Sequence, residues 1–267
     1  MCSSDLRASI GRGKRAANIF AENQQLFASS RDFSLLSNDG KLYGLNPEIA
    51  WNYGVSFIQS FKLFGAESEV VLDYYRTDFE NQAVVDVDFS PQQVLFYNLE
   101  GKSFANSFQA EFTIEPFKHF SVKTAYKYYD VQSQYKIGQL QRALQAKHRF
   151  FTNISFETRI KEKGQQWKYD VTYNWLGEQR LPNTTTNLPA YRLNPYAPAF
   201  GVFNAQITRT FSSVFEVYVG GENIGNYKQD NAIVSASDPF GTYFDSSMIY
   251  GPVFGQMYYA GLRFKIK

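Results

Sequence analysis

The chain has 267 residues, enough for one large domain or part of something larger, and its formal charge of +2 is too small to argue for a nucleic-acid partner. Aromatic residues make up 18% of it, with 25 Phe and 19 Tyr, yet mean hydropathy is negative. No run approaches the roughly 18 apolar residues of a spanning helix, which excludes a helical membrane protein. The composition favours strands with one apolar and one polar face, as in a barrel set in lipid or a soluble sandwich.

At the start, MCSSDLRASIGRGKRAANIF carries basic residues but no apolar h-region and no cleavage site, so no secretory signal is read there. The single cysteine, Cys2, cannot form an internal disulfide, and two histidines leave little for a structural metal; no cofactor is implied. The pattern predicts ten strands, at roughly 5–14, 47–63, 68–86, 98–115, 119–133, 147–160, 166–177, 201–211, 214–224 and 255–266. Period-two alternation is plainest from 166 to 176. There Trp167, Tyr169, Val171, Tyr173 and Trp175 share one face, and Lys168, Asp170, Thr172 and Asn174 the other. Phe108, Ala110, Phe112 and Ile114 repeat the pattern against Gln109, Glu111, Thr113 and Glu115.

Connection lengths alternate. Short turns fall at 64–67, 116–118, 161–165 and 212–213, and long links at 15–46, 87–97, 134–146, 178–200 and 225–254. Strict alternation is what a meander across a bilayer gives, with tight turns on one side and long loops on the other. A sandwich has no reason to sort its loops. Two strands per repeat of about 50 residues also argues against a propeller, whose blades need four.

Several residues invite a functional reading. His148, between Lys147 and Arg149 at a strand end, could serve a rim protease with Asp130 as its nearest sequence acid, or be a solvated rim histidine. His119 reads as structural, at a short turn. Tyr227, Phe240, Tyr243, Phe244 and Tyr250 in the last long link could grip a ligand, pack the loop down or join an interfacial aromatic girdle. Pro47, Pro182, Pro189, Pro195, Pro198, Pro239 and Pro252 lie in or beside long links, either to preorganise them or because ladders exclude proline. Gly220 and Gly221 within a strand predict a bulge or bend. Arg12, Lys14 and Arg15 read as lumen or rim charges, and Lys161, Glu162 and Lys163 as a solvated turn.

In the last strand, Ala260, Leu262, Phe264 and Ile266 oppose Gly261, Arg263 and Lys265. Tyr259, Gly261, Phe264 and Ile266 resemble the C-terminal signal by which the outer-membrane assembly machinery recognises its clients, although here the chain ends in lysine rather than an aromatic residue. Taken in order, GRGKRAANIFAEN, LNPEIAWNYGVSF, LDYYRTDFENQAVVD, AKHRFFTNISFE, WLGEQRLPNT, VYVGGENIGNYKQDNAI and YGPVFGQMYYAGLRFKIK resemble successive barrel segments of a TonB-dependent outer-membrane receptor. The resemblance covers nearly the whole chain after MCSSDL; residues 1–6 are read as an artefactual start and 7–267 as the C-terminal part of the barrel.

That resemblance implies an all-β fold, an antiparallel transmembrane β-barrel meander, whose ten strands would be the last of 22, with plug and N-terminal strands absent. It implies outer-membrane lipid, the barrel-assembly machinery and a nutrient ligand as partners, together with a TonB-type energy-coupling protein acting through the missing N-terminal region. The nutrient would be a metal chelate or siderophore, cobalamin or an oligomer; the C-terminus would be periplasmic, and no enzyme activity is expected. A complete ten-stranded barrel, protease or pore, and a soluble all-β binding protein are the competing readings.

Overall fold

The computed structural model describes residues 3–36 and 39–266, with every side chain among them except that of Lys163. Cys2, the first two of the six opening residues and the terminal Lys267 therefore lie outside the described residues. Ten strands form one antiparallel meander: β1 (Ser3–Arg15), β2 (Glu48–Leu63), β3 (Ala66–Asn81), β4 (Ser103–Phe117), β5 (Phe120–Tyr135), β6 (His148–Glu157), β7 (Gln166–Leu176), β8 (Phe200–Thr210), β9 (Phe215–Glu222) and β10 (Met257–Phe264). Each pairs with the next. β1 and β10 are the two ends of the order and do not pair with each other, so the sheet is open. A closed ten-stranded barrel is not what this chain forms.

Register explains the alternation. Trp167 pairs with Arg209, Tyr169 with Phe156 and Ile207, Val171 with Ile154 and Ala205, and Tyr173 with Phe203. These side chains occupy one continuous face, because paired residues point to the same side of a sheet. Its apolar members are exposed: Val171 by 43%, Phe203 by 48%, Leu262 by 71%. The opposite face carries Gln109, Glu111, Lys123, Asn153, Asp170, Asn204 and Gln206. An apolar face this wide, left uncovered, is not stable in water and fits a hydrocarbon environment. Among the described residues no helix is long and apolar enough to cross a membrane.

The buried apolar core lies instead in the long links. Ala17, Ile19, Leu26, Leu45, Ala83, Val94 and Phe96 form one cluster, and Val84, Leu95, Tyr97 and Tyr135 a second. Here the structure departs from expectation. The strand predicted over 68–86 ends at Asn81, and the one predicted from 98 begins at Ser103. Residues 83–98 leave the wall as a hairpin, Ala83–Ser90 with Gln93–Asn98, to which Asp32–Leu36 adds a parallel third strand. The cause is burial on both faces: Val84, Asp86, Leu95 and Phe96 are all inaccessible, which a lipid-facing strand would not permit.

The predicted bulge at Gly220 and Gly221 is absent. Pairing runs unbroken through both residues on both sides, whereas register shifts occur at Ile49/Ala50 and Ile114/Phe117. These glycines make room for tyrosines. A Cβ on Gly220 would stand 2.5 Å from the Tyr259 ring, and one on Gly261 would enter the Tyr218 ring. Aromatic rings lying over cross-strand glycines hold a sheet in register while satisfying its twist. The short connections are tight: Phe64 (φ 52°) and Gly65 (φ 87°) both adopt the left-handed conformation that a two-residue hairpin needs. His119 (φ 69°) serves another such turn, in keeping with its structural reading.

Candidate functional site at the mouth of the wall

All five long links emerge at one end of the meander, and buried ion pairs tie four of them together in two pairs. Arg31 Nε donates to Asp245 Oδ2 at 2.8 Å, joining the first link to the last. Arg180 grips Asp88 with two nitrogens, at 2.6 and 2.8 Å, joining the fourth to the second. Asp86 accepts from the Tyr97 hydroxyl at 2.8 Å and from the backbone N–H of Lys136. Burial, and then the hydrogen bond to Asp86, push the Tyr97 hydroxyl pKa well above its ordinary value.

Beneath this cap, at the rim of the polar face, lies a cavity of about 390 Å³ whose lining includes Gln25, Tyr135, Arg142, Gln145, Arg149 and Met248. Two neighbouring hollows, of about 510 and 210 Å³, are also lined by Arg142. The backbone explains that placement. After Gly138 (φ 131°) the chain folds back as a short strand, Gly138–Gln141, on the end of β5, and the Arg142 N–H donates to Val131 at 2.9 Å. Among the described residues the Arg142 guanidinium has no carboxylate partner. Lower on the same face, Lys127 and Arg149 stand over the Tyr129 ring at 4.7 and 5.4 Å. Among the described residues Gln145 Oε1 is buried without a partner. Free cations, an aromatic ring and an unpaired amide oxygen suit an anionic ligand with hydrogen-bond donors of its own. Among the described residues no cluster of His, Cys, Asp or Glu could hold a metal directly.

The residues singled out from sequence are dispersed. Tyr227 stacks on Phe200 with ring centroids 4.6 Å apart, and Tyr243 on Tyr191 at 4.7 Å. Tyr250 is held through its backbone by Gln179 and Gln229, and the Phe244 carbonyl accepts from Ser30. Phe240 is 99% exposed. His148 lies on the apolar face, bonded through Nδ1 to the Tyr126 hydroxyl at 2.6 Å and beside the Tyr128 ring. Asp130 accepts instead from Gln132. Arg12 pairs with Glu80, and Arg15 with Glu48 and Glu22, at the rim. Lys161 and Glu162 are exposed, and the side chain of Lys163 lies outside the described residues. In β10, Tyr259 and Gly261 face the polar side, the former donating to Gln206 at 3.0 Å. Phe264 faces the apolar side, and Ile266 lies beyond the strand, exposed.

An antiparallel meander with an apolar outer face, a polar inner face and a loop cap defines a segment of a transmembrane β-barrel. The family profile described as "TonB dependent receptor-like, beta-barrel" matches residues 3–224, and the chain belongs to that family. Members of the family are outer-membrane receptors and transporters. Among solved structures, the ferric enterobactin receptor of Pseudomonas aeruginosa in complex with enterobactin is similar, with 14% identity and a TM-score of 0.66 over 98% of this chain and 38% of that one. The copper transporter OprC shares 10% identity with a TM-score of 0.62, over 98% of this chain and 36% of that one. The siderophore receptor PiuA of Acinetobacter baumannii shares 11% identity with a TM-score of 0.58, over 97% and 33%. The chain thus spans about a third of the length of these structures. No curated protein sequence matches it.

Proposed function

We propose that this chain is the C-terminal barrel portion of a receptor that captures an anionic metal chelate of the siderophore type and imports it with energy from a TonB-type coupling protein. The observation that carries this reading is Arg142, a guanidinium without a carboxylate partner lining three hollows under the loop cap. Relatives that bind enterobactin or pyoverdine, and one described as a copper transporter, support the ligand class. Cobalamin and neutral oligomers are less well matched to free cations. Sorted link lengths support an orientation with the cap outside the cell and the C-terminus in the periplasm. Tyr259, Gly261, Phe264 and Ile266 would then present the assembly signal on the free edge of β10.

Arg142→Ala in the receptor to which this chain belongs tests the reading. Titration with ferric enterobactin, with a neutral ferric chelate as control, should show affinity for the anionic probe falling about tenfold, the scale of one lost charge-assisted contact. Equal affinity in variant and wild type for every anionic chelate tried would remove the case for this site.

A further inference from the structure

Arg209 is out of place on a lipid-facing surface. It pairs in register with Trp167 on β7 and Val217 on β9, so its side chain belongs to the apolar face. The other arginines of that face, Arg12 and Arg76, lie at the long-link end and are neutralised by Glu80 and Asp78, each at 2.6 Å. Arg209 lies at the opposite end, just before the Ser212–Ser213 turn, and among the described residues it has no carboxylate partner. Its same-face neighbours, Ile207, Phe211, Phe215 and Val217, offer none. The guanidinium is instead flanked by two rings, 5.0 Å from the centroid of Trp167 and 5.5 Å from that of Phe211.

An unpaired arginine on a barrel's lipid face is strongly disfavoured at the bilayer midplane and tolerated at the interface. Its place one residue from the strand end suits the headgroup layer, where the abundant oxygen acceptors are phosphodiesters. The rings cover the guanidinium faces without taking up its N–H groups, which remain able to bind a phosphate bidentately. We infer that Arg209, with Trp167 and Phe211, forms a binding site for the phosphodiester of a glycerophospholipid in the periplasmic leaflet. This rests on the proposed orientation, which puts the short-turn end in the periplasm.

Native mass spectrometry of the receptor purified from outer membranes tests it, with phosphatidylglycerol and lipid A offered together. Wild type should retain phosphatidylglycerol, with Arg209→Gln retaining about fivefold less and Arg209→Lys an intermediate amount. Heat-modifiable migration identifies folded variants. Equal retention by wild type and Arg209→Gln overturns the site. An Arg209-dependent adduct that is lipid A overturns the leaflet assignment. The orientation is read separately, from the labelling of Ser212→Cys by an impermeant thiol reagent on intact cells: shielding supports it, labelling sinks it, and neither result depends on lipid retention.

Discussion

Glycine and tyrosine interlock in the last hairpin: Gly220 lies under Tyr259 and Gly261 under Tyr218, on the polar side of the wall. The terminal glycine that resembles part of an assembly signal therefore also has a packing reason to be glycine. Gly261→Val should push the Tyr218 ring off its site and cost about 1–3 kcal/mol. The measurement is the temperature of heat-modified migration of the receptor, which should fall, while Gly11→Val, where a Cβ meets nothing within 4 Å, should leave it unchanged. At this scale the sequence was only partly informative. Gly220 and Gly221 read as a bulge because a strand glycine signals either a bulge or a close approach, and spacing cannot tell which neighbour lies opposite. His148 likewise admits a rim-protease reading from its place at a strand end in a count of ten strands, whereas its register partner Tyr128 puts it on the apolar side.

Among elements, the wall strands were the legible part, since each has one face in lipid and one in a polar interior and so alternates cleanly. The loop strands were not. Ala83-Val84-Val85-Asp86-Val87-Asp88 alternates as well as any wall strand and follows β3 with only Gln82 between, so nothing local marks where the chain leaves the bilayer. The parallel pairing of Asp32–Leu36 with Gln93–Asn98 joins segments far apart in sequence, beyond the reach of any periodicity. Arg142 was missed for the same reason: a basic residue in a long link is ordinary until its surroundings are known. What holds the links together is ionic as much as apolar. Removing Arg180 leaves Asp88, which is 1% exposed, charged and without its bidentate partner. Arg180→Ala should therefore destabilise the cap locally by about 3–5 kcal/mol. Limited proteolysis of intact cells would read this as cleavage within residues 82–102 and 177–199 in a receptor whose barrel still shows heat-modifiable migration. Loss of the barrel band, or no new cleavage, would contradict a separable cap.

For the whole molecule, the division between wall and cap has a consequence for how substitutions are tolerated. The buried apolar side chains, Phe96, Val94 and Ile19 among them, stand in the cap, while the wall presents Val171, Phe203 and Leu262 outward. One polypeptide thus obeys two opposite solvent rules a few residues apart. An Asp scan of the receptor, scored by its level in the outer membrane, should be punishing at Phe96 in the cap and at Val171 on the apolar face. It should be mild at Asn153 and Asn204 on the polar face. Val→Thr at matching depths would be felt in the cap as a lost core contact and on the wall as a polar group facing hydrocarbon, two different penalties from one chemical change. A single hydrophobicity scale cannot rank variants of this chain. The rule that links exposure to tolerated polarity reverses at residue 82, where the chain leaves the wall for the cap, and reverses again at residue 103, where it returns.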